Sequence, residues 1–304
     1  MPYYQMPDNE KIYVREFGQG EPILVLSGLG MHSWQWLPFL YAFKKNYRFI
    51  IPDWRGFGKS SNCAFPKNID AITSHWNDLE FLISKLELEK FKLIAYSMGA
   101  TTAMHGMQYG DLSKHITSYL HIDQSPKILV DQNWKFGLFG DNHNQFKQLL
   151  EKLSTFLHSH KTYSYVDSLN DEKRNHLVSM WLEFIELQSS NKISPFLFKL
   201  ALKRPNLQKY ILPIHRLDYL TWYIDNYLYH TEDYRETLSN LNCPTTFFTG
   251  LQSSLYASQG QTLVAKSLKQ SKQIVFEKSG HTPLISEPIK FTREIKKFLK
   301  NSTF

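Results

Sequence analysis

The sequence predicts an α/β protein: a mostly parallel central sheet with helices on both faces, interrupted by a helical insertion. Short β-rich runs alternate with helically spaced segments over residues 1–126. The alternation stops over residues 127–241, where Tyr, Trp, Phe and Leu are dense and no buried strand stands out, and it returns over residues 242–304. Alternating strands and helices pack as parallel strands with crossover helices on the faces. The expected organisation is therefore a first core segment (1–126), an inserted helical cap (127–241) and a second core segment (242–304).

Each element has its own signal. Residues 12–17 read as an early strand turned by glycines 18 and 20. Residues 22–27 (P-I-L-V-L-S) form a near-continuous apolar run, as in a strand buried on both faces. Residues 36–43 read as helix and 47–52 as strand. Over 69–86, Ile72, Trp76, Leu79, Leu82, Ile83 and Leu86 recur near one face at helical spacing. A strand follows at 91–96, a helix packed with Ala, Gly and Met at 98–109, and a short strand at 118–122. Residues 144–158 and 172–187 are helical stretches of the insertion. Beyond it come a strand (245–250), a helix (260–268), a strand (273–276) and a final helix (288–299).

The bulk numbers bound the function. With 304 residues, 42% hydrophobic, the chain can bury one domain with a lid or two modest domains. Its 21% charged content excludes wholesale disorder. Aromatics reach 15%, which suggests aromatic surface packed around an apolar pocket. The net charge of +7 comes without a long Lys/Arg run or a nucleic-acid motif. Cys63 and Cys243 form no metal-type cluster and no disulfide framework. The first twelve residues lack an apolar signal core, and no apolar run approaches the length of a membrane span. A soluble, reducing compartment, the cytoplasm, is the expectation.

Four motifs stand out, three of which carry the chemistry. In Ala95-Tyr96-Ser97-Met98-Gly99 an apolar strand runs into a serine, and a helix follows. A nucleophile on so sharp a turn needs small residues two before and two after it, and the helix N-terminus beside it favours developing anions. Gly280-His281-Thr282-Pro283 follows a later strand, and an imidazole there suits a general base that returns its proton as an acid. Ser27-Gly28-Leu29-Gly30 ends an earlier strand, where a backbone N–H can be aimed at an oxyanion. Asp53-Trp54-Arg55-Gly56-Phe57-Gly58-Lys59-Ser60 reads as structural, with glycines for tight turns and charges that fix neighbouring loops.

In this order the motifs resemble those of the α/β-hydrolase fold, in particular the bacterial group that includes carboxylesterases and haloperoxidase-like enzymes. The resemblance covers most of residues 13–126 and 243–299. It implies Ser97 as nucleophile, His281 as base, and the Leu29 and Met98 amides as the oxyanion hole. No metal or organic cofactor is implied. Ala95 and Ser27 depart from the family pattern, which reads Gly and His there. So does the acid. Many relatives carry it after the strand at 245–250, yet Ser253 stands at that place and no Asp or Glu occurs between residues 237 and 276. Asp123, at the end of the strand after the nucleophile helix, is the candidate, as in haloalkane dehalogenases; Asp53 and Glu277 are weaker alternatives.

The substrate expected on this resemblance is a small-molecule ester or thioester with an apolar acyl or aromatic group. One alternative is an enzyme like the pimeloyl-acyl-carrier-protein methyl ester esterases, docking an acidic acyl carrier protein. Lys192, Lys199, Lys203, Lys209, Arg204 and Arg216, in a stretch without acidic residues, would serve such docking. A non-catalytic ligand receptor, a lyase and an acyltransferase are further alternatives on the same fold.

Overall fold

The computed structural model describes residues 3–188, 212 and 214–300. The strands are β1 (Tyr3–Gln5), β2 (Lys11–Gly18), β3 (Glu21–Leu26), β4 (Tyr47–Pro52), β5 (Phe91–Tyr96), β6 (Ile116–Ile122), β7 (Thr245–Gly250) and β8 (Ser271–Phe276). They form one sheet in the order β1-β2-β4-β3-β5-β6-β7-β8. The β1–β2 and β2–β4 pairs are antiparallel, and every other pairing is parallel.

The longer helices are α1 (Ala71–Lys85), α2 (Met98–Tyr109), α3 (His143–Ser159), α4 (Asp171–Gln188), α5 (Leu217–Tyr229), α6 (Ser258–Ser267) and α7 (Pro288–Lys300). Between β6 and β7 the described residues contain helices and no sheet strand. None of the described helices is long and apolar enough to cross a membrane.

The apolar runs are explained by burial on both sheet faces. Leu24 and Leu26 of β3, with Leu93 and Ala95 of β5, join the core formed with α1 and α2. Their neighbours Ile23, Val25, Ile94 and Tyr96 join a second core on the opposite face, closed by Phe291, Ile295 and Phe298 of α7. Alternate side chains of a strand point to opposite faces, so a strand sandwiched between two layers must be apolar at both sets of positions. The α1–α2 packing is close because Gly106 and Gly110 leave room for the Trp76 indole. A Cβ at either glycine would lie 2.3 Å from that ring.

Several boundaries differ from the sequence expectation. The three-residue edge strand β1 was not among the expected elements, because so short an alternation carries little pattern. The expected helix over 36–43 is broken into a 3-10 turn (Ser33–Trp36), one α turn (Leu37–Leu40) and a second 3-10 turn (Tyr41–Phe43). Pro38, which lacks an N–H, permits a helix start but no continuous ladder through it. Helix α1 starts at Ala71 rather than 69, because the Asp70 carboxylate accepts from Ile72 N and Thr73 N as its N-cap.

The loop after β4 is held by buried charge. The Arg55 guanidinium makes a two-pronged pair with Asp78, both contacts 2.7 Å, and also donates to Asp8 (2.7 Å) and to the Ala64 carbonyl (2.8 Å). Helix α5, which lies between β6 and β7 in the chain, is stapled to the same region. Tyr219 and Tyr223 donate through their hydroxyls to the carbonyls of Cys63 (2.7 Å) and Arg55 (3.0 Å), and the Trp222 indole donates to that of Ile69 (3.0 Å). Replacing Arg55 by Met leaves the buried Asp78 without its partner and should lower unfolding free energy by about 3–5 kcal/mol in urea titration. Lys114→Ala, which removes a fully exposed pair, should leave it essentially unchanged.

Candidate active site

The serine turn is built by the end of β5 and the start of α2. Ser97 has φ 53° and ψ −124°, a conformation rare for a residue with a side chain. Surrounding contacts enforce it. The Ser97 N–H donates to the Ile122 carbonyl at 3.1 Å, and the Ser97 carbonyl accepts from Ala100 N at 2.7 Å. The need for small flanking residues is visible at Gly99, where a Cβ would sit 2.4 Å from the Leu26 carbonyl oxygen. Ala95, in place of the usual glycine, is fully buried between β3 and β6.

His281 enters from the loop after β8. That loop approaches the end of β7 so closely that a Cβ on Gly250 would lie 1.9 Å from the Gly280 carbonyl oxygen. The Tyr96 hydroxyl donates to the His281 carbonyl (3.0 Å), tying the histidine backbone to the residue before Ser97. Burial pushes the Tyr96 phenol well above its ordinary pKa, so it remains a donor.

The imidazole bridges two side chains. His281 Nε2 lies 2.8 Å from Ser97 Oγ, and Nδ1 lies 2.7 Å from Asp123 Oδ2. Asp123 sits just past β6 with φ 41° and no solvent exposure. Its carboxylate also accepts from Ser253 Oγ (2.8 Å), from the Gly250 N–H (2.9 Å) and from Gln261 Nε2 (2.9 Å). The other carboxylates considered from sequence are engaged elsewhere or exposed. Asp53 accepts from Ser33 N (2.5 Å) and Lys59 N (2.9 Å), and Glu277 lies exposed.

Leu29 and Met98 flank the serine. Met98 is the first residue of α2, so its N–H has no partner within the helix. Leu29 lines the same cavity as Ser97 and His281. Gly28 brings this segment close, since a Cβ there would be 3.2 Å from Ser97 Cβ. Ser27, where relatives carry histidine, has a structural task here. Its Oγ accepts from the Trp36 indole (3.0 Å) and its carbonyl from the Trp54 indole (2.7 Å).

Above these groups lies a cavity of about 600 Å³. Ser97, His281 and Leu29 line it together with Phe146 and Leu150 of α3, Trp181 and Phe184 of α4, and Ile224 and Tyr227 of α5. Phe146, Trp181, Phe184 and Tyr227, from this aromatic-rich part of the sequence, thus share the cavity with the serine. Among the described residues, no group of three or more His, Cys, Asp or Glu is arranged to hold a metal.

The sequence offered no signal for Gln261, Tyr96 or the Gly250 amide as neighbours of the site. Ser253 was singled out only as a missing acid. Of the basic stretch, Lys192, Lys199, Lys203, Arg204 and Lys209 lie outside the described residues. Arg216 is paired with Asp218 at 2.6 Å.

Two buried histidines, His75 and His121, have their pKa lowered by burial. Burial, reinforced by the Arg55 charge, pushes His75 from the ordinary 6.5 down to about 3. Burial also takes His121, two residues before Asp123, to about 4. Both folded values lie below the unfolded one, so unfolding takes up protons between them. The stability is fully present above about pH 6.5 and is lost as pH falls towards 4. Urea titration should show each histidine contributing a slope of about 1.4 kcal/mol per pH unit in that window, and His75→Gln should remove one such slope.

The sequence model described as the alpha/beta hydrolase fold matches residues 21–288. A pimeloyl-[acyl-carrier protein] methyl ester esterase of Legionella pneumophila is 24% identical over 292 residues, 95% of this chain and 99% of that protein. An esterase from Exiguobacterium antarcticum superposes with a TM-score of 0.69 at 20% identity, covering 98% of this chain and 99% of its own. A bromoperoxidase from Bacillus anthracis does so with a TM-score of 0.65 at 19% identity, covering 96% of each. The order of strands, the turn at Ser97 and the match over most of the chain lead to one conclusion: the protein belongs to the α/β-hydrolase fold family.

Proposed function

We propose that this protein is a serine hydrolase that cleaves a carboxylic ester or thioester carrying an apolar acyl or aromatic group. The observation that carries the reading is the unbroken hydrogen-bonded line from Asp123 through His281 to Ser97, opening into the aromatic cavity. In this reaction His281 Nε2 takes the proton of Ser97 as Oγ attacks the ester carbonyl. The Leu29 and Met98 amides hold the resulting oxyanion, each worth about 10²–10³ in rate. The tetrahedral intermediate collapses, and His281 returns its proton to the departing alkoxide or thiolate. Water, activated by the same imidazole, then attacks the acyl-enzyme and releases the acid. Asp123 keeps the Nδ1–H tautomer and balances the imidazolium without taking the proton itself. Residues 127–241 act as a cap whose aromatic side chains bind the acyl group and keep bulk water from it.

Esterase names among the relatives support the same reading, and the long match to a carrier-protein methyl ester esterase favours one specific form of it. In that form the substrate is a methyl ester borne on an acidic acyl carrier protein, which the basic stretch around Lys203 and Arg204 would dock.

Two experiments separate these claims. With a short-chain aryl ester, Ser97→Ala should abolish turnover, and Asp123→Asn should lower kcat by about 10⁴; turnover that survives Ser97→Ala removes the proposal. With a methyl ester on acyl carrier protein, the double charge reversal Lys203→Glu and Arg204→Glu should raise KM selectively and leave small-ester cleavage unchanged. Equal loss on both substrates would contradict carrier docking.

A further inference from the structure

The geometry points to Ser253 and Gln261 as a pair of positioning residues that hold the Asp123 carboxylate in line with His281; the inference rests on the serine-hydrolase reading above. The Asp123 side chain is fully buried, and among the described residues no lysine or arginine pairs with it. An ionised carboxylate in that setting is tolerated only when its oxygens are met by donors. Here the donors divide evenly. Oδ2 takes His281 Nδ1 and Ser253 Oγ, and Oδ1 takes the Gly250 amide and Gln261 Nε2.

The two side-chain donors come from separate segments, and each has only one workable orientation. Ser253 has a single hydroxyl proton, which it gives to Asp123, while its oxygen faces the Tyr256 N–H at 3.4 Å. Gln261, on α6, places its amide nitrogen between two acceptors, Asp123 Oδ1 at 2.9 Å and the Tyr256 carbonyl at 3.0 Å. Its own carbonyl oxygen is buried without a partner. A buried orphan acceptor is costly, and flipping the amide would set oxygen against the carboxylate instead. Gln261 therefore turns its amide nitrogen to Asp123 and the Tyr256 carbonyl at the expense of its oxygen.

This also accounts for Ser253 at the place where relatives carry the acid. With the carboxylate supplied from β6, the residue after β7 has to be a small donor. A second carboxylate there would face Asp123 at close range with like charge.

The test reads the pH profile of kcat/KM for a soluble aryl ester together with its size. Removing a donor leaves Asp123 a stronger base, which holds the proton on His281 more tightly. The acid limb should then move to higher pH, because only the neutral imidazole takes the serine proton. Ser253→Ala and Gln261→Met should each lower kcat/KM roughly tenfold and raise the acid limb by about half a unit. Ser253→Thr, which keeps the hydroxyl, should restore both. An acid limb that stays in place in Ser253→Ala and Gln261→Met, or a Thr variant as impaired as Ala, overturns the inference. Full activity in Asp123→Asn would instead overturn the underlying reading, so the two failures are distinguishable.

Discussion

The Asp123 carboxylate has no contact with solvent, and its charge must be met inside the protein. Four chain segments supply the donors: the loop after β8 through His281, the end of β7 through Gly250, the loop beyond it through Ser253, and α6 through Gln261. Each contact presupposes the parallel register of β6, β7 and β8, which brings the carboxyl ends of those strands side by side. The same register allows Gly250 to meet the Gly280 carbonyl at a distance no side chain would permit. Local backbone strain at Ser97 and Asp123, both with positive φ, is sustained by this convergence.

The strand ends and the helices between β6 and β7 are complementary in chemistry. The core end of the cavity presents the polar groups, Ser97 at the turn from β5 into α2 and His281 on the loop after β8. Helices α3, α4 and α5 present aromatic and aliphatic walls. Helix α5 is fastened to core loops by hydroxyl and indole hydrogen bonds to backbone carbonyls, so the wall it forms is held in register with the serine.

Much of this was legible in the sequence because the signals were local. The run P-I-L-V-L-S is apolar throughout because both faces of β3 are covered. The small residues around Ser97 announce a tight turn, and the contact that would exclude a Cβ at Gly99 is with the adjacent strand β3. Asp123 was reachable because it stands at a strand end. What was not legible depends on distant pairs. Gln261 and Tyr96 carry no pattern of their own, and their positions follow from tertiary packing alone. The break of the expected helix over 36–43 turns on Pro38, which the helical reading did not weigh, and the anchoring of α5 on Arg55 and Cys63 carbonyls had no counterpart in periodicity. The substitution of Ser27 for histidine reads as a loss in the sequence and as an indole acceptor in the fold.

The central claim is that the buried carboxylate, the imidazole and the hydroxyl act as one unit that makes Ser97 nucleophilic. The most direct measurement is labelling of the intact protein with a fluorophosphonate, with the adduct located by peptide mass spectrometry. The account predicts a single adduct on Ser97 that forms far more slowly when His281 is replaced by alanine. Absence of labelling, or an adduct on another residue formed at the same rate without His281, would contradict it.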